Sequence, residues 1–408
     1  MADIRNYAAV TAAYWAFTLT DGALRMLVLL HFHRLGYTPL DLSILFLLYE
    51  AMGVVTNLVG GWIGARFGLR VTLFAGLAIQ VAALLMLSAL DPEWALAFSV
   101  AYVMAAQALS GVAKDLTKMS SKSAVKLVVK KEGQGLLFKW VALLTGSKNA
   151  LKGLGFLLGG ILLEGLGFRE SLWAMAAALV VVLGLAVMTV RADLGKAKQV
   201  SRRDVFSKSR EINLLSAARV FLFASRDVWF VVGLPIFLAD RLGWRFDEVG
   251  GFMAAWIVGY GMVQAAAPRL LGKTRDAASG ARAARFWGFV LALLPAAIAL
   301  GLGTPFAAPA LIGGLLVFGI VFAINSSVHS YLIVAYSDHD KVALNVGFYY
   351  MANAIGRLGG TFLSGLTYQM AGLEACLWTS AAMVVLAAAL AGLLTATRPS
   401  PSGNFGGG

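Results

Sequence analysis

Gly60-Gly61-Trp62-Ile63-Gly64-Ala65-Arg66-Phe67-Gly68-Leu69-Arg70 is a basic, glycine-rich stretch between two apolar runs, at approximately 41–65 and 71–90. Ten more runs of this kind lie outward from it, at approximately 8–33, 94–122, 136–163, 170–190, 213–239, 247–268, 284–303, 307–335, 342–369 and 374–396. A helix of about 20 apolar residues crosses the hydrocarbon layer, whereas a barrel strand needs only about 10. In lipid the backbone polar groups must be satisfied within the segment, so the runs are predicted to be helices. Composition agrees. Apolar residues make up 59% of the chain and charged residues 13%, against about 25% charged in soluble domains, and the mean hydropathy is +0.78. The expected fold class is therefore all-α integral membrane, with twelve transmembrane helices and almost no chain left for a soluble domain.

The net charge of +13 would suit a nucleic-acid partner, but its placement does not. With both termini in the cytoplasm, twenty of the 34 basic residues fall in inside segments and only four, Arg34, Arg169, Arg241 and Arg245, in outside loops. This bias follows the positive-inside rule and predicts a multi-pass membrane protein with inward termini. The first run is long, polar in its middle and without a small-residue cleavage site, so no signal peptide is expected. The single cysteine, Cys376, excludes a disulfide framework or a cysteine metal site. The histidines, His31, His33, His329 and His339, form no metal-binding spacing, and no nucleophile–base set stands out. Neither an enzyme nor a cofactor is expected.

The longest polar segment, 192–212, divides the chain into an N-terminal six-helix bundle, 1–191, and a C-terminal one, 213–398, with 399–408 read as a disordered tail. A weak repeat points to duplication. Arg34-Leu35-Gly36-Tyr37, with Asp41 four residues on, follows the first run; Arg241-Leu242-Gly243-Trp244, with Glu248 four residues on, follows the seventh. Counting back from the aromatic residue brings Asp21 and Asp227 to similar places.

The ten basic residues left lie inside the runs: Arg25, Lys114, Lys118, Lys122, Lys139, Lys148, Lys152, Arg219, Arg226 and Arg357. Only Asp21, Glu50, Asp115 and Asp227 oppose them at comparable depth. A cation costs roughly 2.5–3.5 kcal/mol at the centre of an inserted helix, so this surplus implies an interior built to meet anions. The polar residues keep helical spacing. Asp21 and Arg25 are four apart and able to pair; Lys114, Lys118 and Lys122 form a stripe beside Asp115; Lys148 and Lys152, Asn325 and His329, and Asn353 and Arg357 are each four apart; Arg219 and Arg226 are seven apart; Tyr349 and Tyr350 precede Asn353 by a turn. Lys122 and Lys139, near helix ends, suit snorkelling to the interface. Glu50 suits either a proton carrier or the partner of a cation on another helix. Asp227 is about 100° around the helix from Arg226 and is expected to pair elsewhere. The glycines Gly153, Gly155, Gly159 and Gly160 suit close helix packing. Arginine forks grip phosphate-like oxygens, and lysines add mobile point charges.

The 60–70 stretch resembles the loop signature of the major facilitator superfamily, Gly-x-Leu-x-Asp-Arg-x-Gly-Arg-Lys, through Gly61, Arg66, Gly68 and Arg70, with Ala65 in place of its Asp. The resemblance implies two pseudo-symmetric six-helix bundles whose first, fourth, seventh and tenth helices line a central cavity. Longer stretches, Tyr14 to Met26, Leu30 to His33, Gln107 to Ser123 and Leu144 to Gly153, resemble the organoarsenical efflux permeases of bacterial arsenic operons, the ArsJ family. That resemblance implies an efflux antiporter exporting 1-arseno-3-phosphoglycerate, which a partner glyceraldehyde-3-phosphate dehydrogenase makes from arsenate. The result is arsenate resistance. In this reading Arg25, Lys114, Lys118, Lys148, Lys152, Arg219, Arg226, Asn325, His329, Tyr350, Asn353 and Arg357 contact substrate, while Asp21, Glu50, Asp115 and Asp227 are candidate proton couplers. An organophosphate or phosphate-exchange transporter is the alternative with the same cavity.

Overall fold

The computed structural model describes residues 2–91, 93–129, 134–190, 209–270, 277–337 and 342–394; the side chains at 2–5, 58–67, 69, 122–146, 268–270, 342–344 and 346 lie outside the description, and with them Lys122 and Lys139. Most of the 192–212 segment and all of 399–408 fall outside it too. The helices are α1 (Ala2–Arg34), α2 (Pro39–Leu45), α3 (Leu47–Ser88), α4 (Leu96–Val129), α5 (Gln134–Gly165), α6 (Phe168–Thr189), α7 (Arg210–Phe230), α8 (Gly233–Asp240), α9 (Phe246–Leu270), α10 (Ala277–Leu302), α11 (Ala307–Ala335) and α12 (Val342–Gly392).

Two of these are too long for a single crossing. α12 has 51 residues, roughly 77 Å at 1.5 Å per residue; it breaks at Ala371 and Gly372, where Gly372 takes φ 69°. α3 has 42 residues and breaks at Gly68, with φ 76°. Such positive φ values favour glycine, which has no Cβ to clash. Gly68 is the second glycine of the loop signature. Among the described residues, nine stretches are long and apolar enough to cross a membrane. One of them, Gly347–Gly392, contains two passes, and the charged helices α1 and α5 supply the others. Each of the twelve runs thus has its helix.

The duplication is geometric. Gly36 and Gly243 both take positive φ, at 83° and 68°. In the turn that follows, Asp41 accepts from the Thr38 amide at 3.2 Å and Glu248 from the Arg245 amide at 2.8 Å. The helix contacts repeat as well. Gly155 and Gly159 on α5 press on the Leu19 and Ala23 carbonyls of α1, and Gly356 and Gly360 on α12 press on the Val220 and Ala224 carbonyls of α7, an offset of 201 residues throughout. In this register Arg25 corresponds to Arg226, and Asp21 does not correspond to Asp227. The turn-based count misaligned them because the break at Val231–Val232, between α7 and α8, lengthens the second half.

The halves meet along two seams. On the first, a methyl at Gly160 would stand 2.5 Å from the Phe246 carbonyl and one at Gly153 2.9 Å from that of Ala254, so α5 lies backbone to backbone on α9. The glycines serve close packing, as their spacing suggested. On the second, α12 crosses α2 and α3: the Leu40 amide donates to Gln369 Oε1 at 3.1 Å. At the end of the bundle carrying the 34–38 and 241–245 turns, His33 Nε2 lies 2.8 Å from Asp240 Oδ1, and Arg34 sits 5.1 Å over the Phe246 ring.

Candidate functional site

Glu50 lies in the first turn of α3 and is almost wholly buried, at 1% exposure. Its Oε1 accepts from Arg25 Nη1 at 2.9 Å and from Arg357 Nη2 at 2.6 Å. One carboxylate oxygen thus joins guanidiniums from α1 and α12, one from each half. Arg357 Nε lies 3.4 Å from Asp227 Oδ2 on α7, and Asp227 Oδ1 accepts from Arg226 Nε at 2.7 Å. The result is an alternating chain, Arg25–Glu50–Arg357–Asp227–Arg226, across the middle of the molecule. Asp227 therefore pairs with another helix as expected, and also with its own neighbour, because the long Arg226 side chain folds back. The Asp21–Arg25 pair allowed by spacing does not form. Instead both Asp21 oxygens accept from the Tyr49 hydroxyl, at 2.7 and 3.0 Å.

Around this chain stand cations with less compensation. Lys114 Nζ is 3.9 Å from the centre of the Tyr49 ring, a cation–π contact. Lys118 donates to Asn57 Oδ1 at 3.1 Å and meets Asp115 Oδ1 at 3.4 Å; Asp115 also accepts a short hydrogen bond from Thr56. Lys118 Nζ lies 5.7 Å from the Tyr350 ring of the other half. Lys152, half-buried on α5, makes no ion pair among the described residues, although Arg25, Arg357, Asp21 and Glu50 are its electrostatic neighbours. Lys148 lies one turn earlier and is also half-buried. Arg25 Nη2 is buried and donates to nothing among the described residues. A charged donor left unmet costs roughly 1–3 kcal/mol or more. This donor borders a small gap lined also by Asp21, Tyr49 and Gln107.

A second polar group lies within the C-terminal half. The Arg219 guanidinium, 4% exposed, donates to Ser326 O at 3.2 Å, Ser326 Oγ at 3.0 Å and Asn353 Oδ1 at 3.3 Å. It stacks 4.0 Å from the Phe223 ring centre and 4.8 Å from that of Tyr349. His329 is its electrostatic neighbour, and the buried His329 Nδ1 and Asn325 Oδ1 have no hydrogen-bond partner among the described residues. Arg219, Ser326, His329 and Asn353 thus form a packed cluster apart from the Glu50 chain, with Asn325 one turn before His329 on α11, while Tyr350 is 37% exposed beside Lys118.

Spacing alone did not single out Tyr49, Thr56, Asn57 or Ser326. The signal for Asn57 was present: it lies seven residues after Glu50, two turns along the same face. Tyr49 carried none, because it is chosen by Lys114 and Asp21 on other helices.

Six cations, Arg25, Lys114, Lys118, Lys152, Arg226 and Arg357, and four acids, Asp21, Glu50, Asp115 and Asp227, converge at this centre among the described side chains. No curated protein compared with the chain matches it. Two solved structures share the fold over nearly their whole length. The human organic anion transporter MFSD10 (TETRAN) is 17% identical, at TM-score 0.66, with 95% of this chain and 99% of that one covered. A POT family transporter, solved in complex with a thioalcohol-conjugated peptide, is 15% identical, at TM-score 0.72, with 94% of each chain covered. The family model for the Major Facilitator Superfamily matches residues 8–327. With twelve helical passes in two related halves around a buried charged centre, the chain belongs to the Major Facilitator Superfamily of membrane transporters.

Proposed function

We propose that the protein exports an organic anion with two phosphate-like ends, 1-arseno-3-phosphoglycerate, from the cytoplasm by alternating access. The observation that carries this reading is the single Glu50 oxygen held by Arg25 and Arg357 from opposite halves, with Lys152 beside them making no ion pair among the described residues. Glu50 occupies the place an anionic substrate would take. A dianionic end entering from the cytoplasm draws Arg25, Arg357 and Lys152 to itself in place of Glu50, and Glu50 takes the two guanidiniums back as the substrate leaves on the other side. Arg226, the counterpart of Arg25 in the second half, serves the other end of the substrate, with Asp227 as its release partner. Lys114 and Lys118 complete the N-terminal wall. The identity of the substrate rests on the resemblance of the Tyr14–Met26, Gln107–Ser123 and Leu144–Gly153 stretches to organoarsenical permeases. Rocking of the halves about this charge chain is the transport step.

The test is arsenic accumulation in an arsenate-sensitive bacterial host expressing the protein with and without a glyceraldehyde-3-phosphate dehydrogenase. Low accumulation that requires both proteins is expected. No change in arsenic, together with exchange of 3-phosphoglycerate, would move the assignment to an organophosphate exchanger.

A further inference from the structure

A groove runs down the outward face of the C-terminal half, between α10 and the part of α12 beyond Gly372, and encloses about 1220 Å³. From Arg282 to Ala296 its α10 wall rises about 21 Å, more than the ~15 Å of one hydrocarbon leaflet. Phe289 and Leu293 on one wall and Trp378 and Val385 on the other are exposed, and small residues such as Ala381 and Ala388 form the floor. The exceptions to this apolar lining are Arg282 and Arg285, both at one end. Both are exposed, and neither makes an ion pair among the described residues. Gly392 seats one of them: a methyl there would stand 3.2 Å from Arg285 Cδ, so the arginine stem lies along α12 with its head at the groove mouth.

An apolar slot alone would accept any acyl chain. Two guanidiniums at one end, without an ion pair among the described residues, add a requirement for the head group, because arginine forks bind phosphate oxygens and basic pockets between membrane helices favour anionic lipids. We propose that this groove is a binding site for an anionic phospholipid. One acyl chain lies between α10 and α12, and the phosphate bridges Arg282 and Arg285 in the leaflet nearest the chain termini. The site is separate from the central charge chain and does not depend on which substrate is carried.

Native mass spectrometry of the full-length protein tests this with phosphatidylglycerol and phosphatidylcholine of identical chains. Wild type should retain phosphatidylglycerol preferentially. Arg282→Gln with Arg285→Gln should reduce that preference by roughly fivefold per arginine. Equal retention of both lipids by wild type, an unchanged preference in the double variant, or a stable dimer that shields the groove from lipid would each overturn the proposal. Should the double variant not accumulate, Ala382→Trp fills the apolar slot and leaves both arginines; loss of retained lipid is then expected, and unchanged retention overturns the assignment.

Discussion

At the scale of single residues, Glu50 and Lys152 separate structure from function. Glu50 compensates two buried guanidiniums, and removing one partner of a buried ion pair costs about 3–5 kcal/mol. Glu50→Gln should therefore lower the unfolding temperature in detergent and abolish export, and added organophosphate should recover more stability in the variant than in wild type by supplying the missing anion. Loss of export with no thermal shift would contradict the shared-carboxylate geometry. Lys152 has no such partner among the described residues, so Lys152→Ala should leave the melting temperature within about 1 °C while export falls at least tenfold; normal export would remove it from the site. Arg357→Lys should also fail, since a point charge does not hold Glu50 and Asp227 together as the planar fork does. The sequence made the charges legible through their helical spacing. It did not make their partners legible, because Glu50 finds Arg25 and Arg357 across helices distant in the chain, and Asp21 is taken by Tyr49 where spacing offered Arg25.

At the scale of elements, the long helices depend on missing side chains. α5 lies against α1 through Gly155 and Gly159 and against α9 through Gly153 and Gly160. Overpacking of such a contact costs about 1–3 kcal/mol. Gly155→Ala, whose methyl would overlap the Leu19 carbonyl, should lower thermal stability, whereas Gly184→Ala on α6, where a methyl meets nothing within 4 Å, should not. Equal melting curves for the two variants would contradict the packing. Twelve apolar runs told where the helices are, since lipid leaves the backbone no alternative to internal hydrogen bonding. The register between the halves was hidden by the break between α7 and α8, which shifts the second turn relative to the helix contacts and paired Asp21 with Asp227 in place of Arg25 with Arg226.

At the scale of the whole molecule, the halves are latched at the end bearing the 34–38 and 241–245 turns, through His33 with Asp240 and Leu40 with Gln369. Alternating access requires that latch to open. His33→Cys with Asp240→Cys, once cross-linked, should stop transport, and reduction should restore it; transport by the cross-linked form would mean that the halves need not part there. The central claim is that cations of both halves carry a bis-anionic organoarsenical. Its most direct measurement is arsenic uptake into inverted membrane vesicles supplied with arsenate, glyceraldehyde 3-phosphate and the dehydrogenase with its nucleotide. The account predicts uptake that needs the dehydrogenase and is lost in Arg226→Ala and Arg357→Ala vesicles carrying equal amounts of protein. Uptake of arsenate without the dehydrogenase, or full uptake by either arginine variant, would contradict it.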